Sequence, residues 1–207
     1  MPKIDARIVK KETPIFTTII DDHEDINSHV KKHVLELMIQ HPEGIDSNVR
    51  AWRSHWFTQK VTKVFDPLVS IMVSGVEYVA GAYYGEPDTK FECYNFWTMV
   101  YEDGDKTYKH NHFPSEFSVI YYIDVEEGCA PLLIEGETIQ PVNGMMVIFA
   151  GHLDHEVPPT KGKRICASGN FIKSQQDLYK KRDENLYVPA QGDPGARIGE
   201  NDFYDRR

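Results

Sequence analysis

The stretch KHNHFPSEFSVIYYI (residues 109–123), read together with MMVIFAGHLDHEVPPTKGKRICASGNF (residues 145–171), decides the fold class. Each half joins an aromatic and β-branched run to histidine: His110 and His112 stand before one run, and His155 follows the other. Short apolar runs of this composition, bounded by turn residues, read as buried strands. Residues two apart on a strand point the same way, so His110 and His112 are expected to project together from one strand end. Pro141, Asn143 and Gly144 set a tight turn ahead of the second run. His155 is then expected just past a buried strand, where irregular backbone can hold a ligand. Pro158 and Pro159 break the chain before the next strand. Neutral imidazoles converging from separate elements suit iron, zinc, copper or nickel.

The third run, RICASGNF, begins with Arg164, nine residues after His155. Alternation puts Arg164, Cys166, Ser168 and Asn170 on one face and Ile165, Ala167, Gly169 and Phe171 on the other. A buried arginine needs an anion, because an unpaired one is costly. If the polar face lines a pocket, Arg164 can take a carboxylate through both arms of its fork, with the Ser168 hydroxyl beside it. Tyr122 shares parity with Ile120 and Ser118, and a hydroxyl there can bond the same acid. Tyr121 then faces the opposite layer, and one bulge near Pro114 would exchange the two tyrosines.

Outward from these runs, residues 90–173 are strand-like, with turns at Asp103-Gly104, Gly128, Glu135-Gly136 and Asn143-Gly144. Several short strands at such intervals predict a β-barrel or sandwich. Residues 22–81 carry helical signals. Asn27 or Ser28 can cap a helix with the stripe Val30, Val34, Leu37 and Met38, stopping near Pro42 and Gly44. A second helix is expected from Asp66 as N-cap and Pro67 at the first position, burying Leu68, Ile71, Met72, Val76 and Val79. Residues 174–207 are polar and aperiodic, an expected arm. The whole, residues 1–207, is expected to be one domain with a helical layer, a β core and that arm.

The composition narrows the class. The chain has 207 residues and a formal charge of −9, which argues against nucleic acid or a membrane surface as a partner. The N-terminus lacks the apolar run of a signal peptide, and no segment is expected to reach the roughly 20 apolar residues of a membrane helix. Three cysteines without CxxC spacing suggest reduced thiols and a cytoplasmic protein. A small-molecule or peptidyl substrate fits this balance, and so does a homodimer.

The combined motifs resemble the 2-oxoglutarate- and Fe(II)-dependent dioxygenases, in particular the small oxygenases related to prolyl 4-hydroxylases. That group's pattern is His-x-His, a strand ending in Tyr-Tyr, Gly-x-x-x-x-Phe, His-x-Val-x-Pro, and an Arg leading into a strand that closes with Asn-Phe. Here the pattern falls on His110 and His112, Tyr121-Tyr122, Gly144 and Phe149, His155 with Val157 and Pro158-Pro159, Arg164, and Asn170-Phe171. IDSNVRAWRSHWF (residues 45–57) is similar to the Ser-Asn…Trp-x-Ser stretch of the same group, so the resemblance spans residues 45–171. It implies a mainly β fold, a double-stranded β-helix (a jelly-roll, cupin-like barrel) with N-terminal helices on the larger sheet. It further implies Fe(II) on three protein ligands, 2-oxoglutarate as cosubstrate, and hydroxylation of a C–H bond with release of succinate and CO2. Arg164, Tyr122 and Ser168 would bind the cosubstrate.

Two departures bear on the ligands. His112 stands where the wider superfamily has Asp, and Phe113 stands where the group has Pro. His112, Glu116 and Asp154 therefore compete for the third position, and His110, His112 and His155 form the favoured set. His152 rivals His155, but the ligand of the pattern directly precedes Val-Pro-Pro. His29 and His33 are expected to be solvated helix residues, and His23, His41 and His55 carry no assigned role. Two other classes stay open: a cupin-like three-histidine enzyme without 2-oxoglutarate, and a β-barrel binding module with a structural metal. The pocket mouth is expected along residues 102–109 and the segment before His155.

Overall fold

The computed structural model describes residues 14–174. In chain order these form β1 (Ile15–Ile19), α1 (His23–Gln40), β2 (Val49–Arg50), β3 (Trp52–Arg53), α2 (Thr58–Val61), a 3-10 turn (Lys63–Phe65) and α3 (Asp66–Tyr84). Then come β4 (Phe91–Tyr101), β5 (Lys106–His110), β6 (Phe117–Val125), β7 (Leu132–Ile134), β8 (Glu137–Ile139), β9 (Met145–Ala150), β10 (His155–Val157) and β11 (Arg164–Lys173). The arm expected over residues 174–207 lies, from residue 175 onward, outside the described residues.

The strands build two antiparallel sheets, one ordered β1-β9-β6-β11-β4-β3 and the other β2-β5-β10-β7-β8. This is a double-stranded β-helix, with α1 and α3 packed on the outer face of the larger sheet. β11 is the spine of that sheet. It pairs with β4 from Arg164 opposite Tyr101 to Lys173 opposite Phe91, and with β6 on its other side. Flanked by a strand on each edge, β11 is buried from Arg164 to Phe171, with side chains alternating between the two faces of the sheet.

The two faces feed two cores. Ile165, Ala167 and Phe171 join Tyr121, Val119, Met72, Val76 and Leu68 in the core beneath the helices. Cys166 joins Tyr122, Ile120, Trp97, Met99 and Tyr101 in the core between the sheets. Tyr121 thus faces the helices, donating its hydroxyl to Asn27 Oδ1 at 2.8 Å, and Tyr122 faces the interior. Leu68, Met72 and Val76 have no exposed area, and burying each contributes about 1.5–3 kcal/mol. The β7–β8 hairpin turns through Glu135 (φ 47°) and Gly136 (φ 88°), the left-handed pair of a two-residue hairpin loop.

Three expectations need correction. α1 begins at His23, ahead of Asn27 and Ser28, with the acidic Glu24 and Asp25 in its first turn complementing the helix dipole. Asn27 is no cap, because its side chain is buried and held by Tyr121. The segment 63–84 is long and apolar enough to cross a membrane by length and composition, contrary to expectation. Its stripe Leu68, Met72, Val76, Val79 and Ala80 packs in the core beneath the helices. Residues 49–53, within the stretch read as helical, form β2 and β3. Two-residue strands are too short to show a period of two.

Candidate metal centre

His110 is the last residue of β5 and His155 the first of β10, and they face each other across that pair. Their ring centres are 4.3 Å apart. His112 lies beyond the strand end, so strand parity does not explain its approach, as the sequence suggested. The loop does. His112 N–H donates to the Gly151 carbonyl at 2.7 Å, and Gly151 N–H donates to the Glu116 carbonyl at 3.0 Å, clamping residues 112–116 onto the end of β9. Any Cβ at Gly151 would run into the Ser115 carbonyl. Held this way, the His112 ring centre is 4.9 Å from His110 and 5.0 Å from His155. One ring nitrogen from each histidine lies within 4.8 Å of the others.

The tautomers are set by the backbone. His110 Nδ1 meets the Tyr108 carbonyl at 2.8 Å and His155 Nδ1 meets the Leu153 carbonyl at 3.1 Å. A carbonyl only accepts, so each Nδ1 carries the proton and each Nε2 presents a lone pair to the centre. Burial lowers all three pKa values. It takes His155 to about 4 and His112 to about 2, with the neighbouring rings adding repulsion in both, and shifts His110 in the same direction. The set is neutral at pH 7, the form in which imidazole ligates metal.

Among the described residues no carboxylate joins the cluster. Glu116 is exposed, and Asp154 accepts from Asn111 Nδ2 at 2.9 Å with Lys109 Nζ 3.8 Å away. His152 and His29 are exposed. His33 is not the solvated helix residue expected, since its ring packs on Phe65 with centres 5.4 Å apart.

Arg164 is 1% exposed at the start of β11, opposite Tyr101. Its Nη1 donates to the Ala130 carbonyl at 3.0 Å, and Nε has no partner. The guanidinium carbon sits 4.3 Å from the centre of the Tyr101 ring and 5.7 Å from that of Tyr122. Among the described residues no carboxylate pairs with it. Ser168 lines the histidine pocket together with Tyr101, Thr107, Trp97, Trp56 and Asn48. Tyr122 lies behind that wall, next to Arg164.

The free volume among these side chains is about 30 Å³, room for about two waters, so a cosubstrate or substrate requires wall residues to move. Of the stretch expected to border the mouth, residues 102–109, Thr107 lines the pocket. Residues 106–110 are strand β5, and Asn48, Val49 and Trp56 of the β2–β3 segment wall that side. Sequence reading missed these residues, and it missed Tyr101 and Trp97. Tyr101 had a usable signal, as the last aromatic of a long β run just before an Asp-Gly turn.

No family model matches the chain, and no curated relative matches it in sequence. Solved structures do match in fold. A prolyl-4-hydroxylase from Pseudomonas putida superposes with a TM-score of 0.60 at 14% identity, over 78% of this chain and 94% of that one. A Trichoplax adhaerens prolyl hydroxylase, in complex with a hypoxia inducible factor peptide, gives 0.58 at 16% identity, over 83% and 87%. The non-haem α-ketoglutarate-dependent epimerase of nogalamycin biosynthesis gives 0.61 at 13% identity, over 77% and 78%. At such identities the likeness is one of fold. It agrees with the resemblance read from the motifs.

Proposed function

We propose that the protein is a non-haem Fe(II)- and 2-oxoglutarate-dependent dioxygenase that hydroxylates a C–H bond of a small-molecule or peptidyl substrate. One observation carries the reading: three neutral histidines converge in the barrel, and a buried arginine without an anion stands behind the same wall. The donor set can hold the metal: three imidazoles suit iron and leave positions open, with His112 in place of the carboxylate of the usual facial triad. His110, His112 and His155 would hold the ion. When bound, iron with 2-oxoglutarate and O2 supplies the oxidation: one oxygen atom enters the C–H bond and the other enters succinate, with CO2 released.

The chain's own residues bind, orient and exclude water. Arg164 takes the far carboxylate of the cosubstrate, with Ser168 and Tyr122 as hydroxyl donors beside it. Trp56 and Trp97 close the pocket against water, their rings meeting edge-on at 4.8 Å. No general base is needed, so a buried acid–base pair is not expected in the wall. A cupin-like enzyme without 2-oxoglutarate does not require a buried cation such as Arg164 beside its metal. A structural metal would want a closed set of four, usually with thiolates, whereas Cys93, Cys129 and Cys166 are free and none joins the cluster.

The test is anaerobic titration of the Fe(II) protein with 2-oxoglutarate, followed by admission of O2 and assay of succinate. The expected result is a charge-transfer absorption on binding, then slow succinate release that Zn(II) does not support. Binding of neither 2-oxoglutarate nor O2 by the Fe(II) protein would replace this reading with one of the other two.

A further inference from the structure

Arg53 has a burial that neither the fold nor the metal centre explains. It is 0% exposed, and among the described residues Nε, Nη1 and Nη2 all lack a hydrogen-bond partner. Its guanidinium carbon lies 3.8 Å from the centre of the Trp56 ring. A cation–π stack offsets only part of the cost of burying an unpaired cation. Burial alone brings its pKa down to about 10, so it remains charged at neutral pH. Arg164 at least donates to a carbonyl; Arg53 donates to nothing.

Register shows where it sits. Arg53 pairs with Met99 across β3 and β4, so the two side chains share a face. Met99 belongs to the core between the sheets and lines the histidine pocket. Trp52, one residue earlier, pairs with Val100 and belongs to the core under the helices, as alternation requires. Beneath the guanidinium, Trp56 lines the histidine pocket and meets Trp97, whose ring centre is 5.6 Å from that of His112. Arg53 also belongs to the wall of a separate cavity of about 450 Å³, with Trp52, Ser54 and Thr58. It therefore lines the roomy cavity and stacks on Trp56, a wall residue of the metal pocket. Two more buried donors without partners, Asn48 Nδ2 and Trp97 Nε1, line the pocket on this same side.

We propose that Arg53 is the substrate-recognition cation: it binds a carboxylate of the molecule to be oxidised, whose body passes over Trp56 and Trp97 toward the histidines. This rests on reading the histidine site as an oxygenase centre. The chemistry favours a carboxylate over a phosphate. A phosphate group carries close to two charges and gathers several cationic donors. Among the described residues no lysine or second arginine lines either cavity, and Glu43 lies in the wall of the larger one. A planar monoanion matches one fork, and the aromatic floor suits an apolar remainder. The division of labour follows: Arg164 serves the cosubstrate, Arg53 the substrate.

The experiment is calorimetric titration of the whole chain, with and without Mn(II) and 2-oxoglutarate. The probes are the free L-amino acids and short aliphatic acids, each paired with its carboxamide, and inorganic phosphate. The metal-free arm keeps the outcome readable if the iron reading fails, and 2-oxoglutarate titrated alone tests that reading separately. At least one acid is expected to bind better than its amide by about tenfold to a hundredfold, the contribution of one charge-assisted contact. Arg53→Gln should bring that ratio near one with 2-oxoglutarate affinity unchanged. Arg53→Met, which keeps a stem on Trp56, should do the same and covers the case in which Arg53→Gln fails to fold. No acid bound in preference to its amide, a ratio that survives both substitutions, tighter binding of phosphate than of any acid, or loss of 2-oxoglutarate itself in Arg53→Met would each overturn the proposal.

Discussion

Replacing Arg164 by leucine separates a cosubstrate cation from a structural one, because the two roles predict opposite balances. In the cosubstrate-free protein Arg164 makes one charged hydrogen bond, to Ala130, and cation–π contacts with Tyr101 and, at longer range, Tyr122. These contribute about 1.5–3 and about 0.5–2 kcal/mol respectively. Against them stands the desolvation of a fully buried guanidinium with no anion, several kcal/mol even after relaxation. The terms nearly cancel, so Arg164→Leu should change the stability of the unloaded protein by no more than about 1–2 kcal/mol, a few degrees in Tm for a chain of this size.

Binding of 2-oxoglutarate should suffer far more. Losing even one charge-assisted contact to a carboxylate weakens affinity by about 1.5–3 kcal/mol, roughly tenfold to 150-fold, and a bidentate pair loses more. Arg164→Lys should recover little, since an ammonium cannot reproduce the fork. The assay is anaerobic titration of the Mn(II)-loaded protein by calorimetry, with thermal unfolding of the unloaded variant alongside and metal content checked. An unchanged dissociation constant would refute the assignment. So would a collapse of the unloaded variant, which would mean that Arg164 stabilises the fold without a ligand.

The remaining predictions concern the metal, the pH dependence and the helix layer. His155→Ala should abolish stoichiometric iron and, with it, succinate release, read by metal analysis and by chromatography of the product. Glu116→Gln and Asp154→Asn should both retain full iron, since neither side chain joins the cluster; loss of iron in either would move the third ligand there. In the metal-free protein, folded pKa values held below the ordinary 6.5 mean that the unfolded chain takes up protons first as the pH falls. Stability should be level above about pH 7 and decline as pH drops from about 6.5 through about 4, seen as falling urea midpoints; a flat profile there would contradict the burial of these rings. Tyr121→Phe strands the buried Asn27 oxygen and should cost about 1–2 kcal/mol in urea unfolding with an unchanged m-value.

The sequence makes β6 and β9 legible as buried apolar runs bounded by turn residues, and β11 legible by the alternation of its two faces. Gly136 and Gly144 mark the turns because each holds φ near +80°, which side chains other than glycine rarely adopt. The first strand, β1, escapes because it is a half-exposed edge with Thr17 and Thr18 in its centre. Tyr122 facing inward follows from parity, and the register slip between Ile165 and Cys166 leaves that alternation intact.

The convergence of the histidines is legible for a reason other than the one the spacing suggests. Parity requires one strand under both His110 and His112, yet β5 ends at His110. What returns His112 to the centre is a backbone exchange with Gly151, a contact across 39 residues that no local pattern encodes. The same limit hides the far wall. Asn48, Arg53 and Trp56 belong to a segment whose two strands have two residues each, so it carries no period that would place its side chains. Its backbone is nevertheless laced to β4, through Ser54 N–H to the Thr98 carbonyl at 2.9 Å and Phe96 N–H to the Trp56 carbonyl at 2.9 Å. That lacing turns an irregular stretch into a wall and carries the Arg53 guanidinium inside. The ligands are thus readable from residue type, whereas the groups that would choose a substrate depend on long-range pairing.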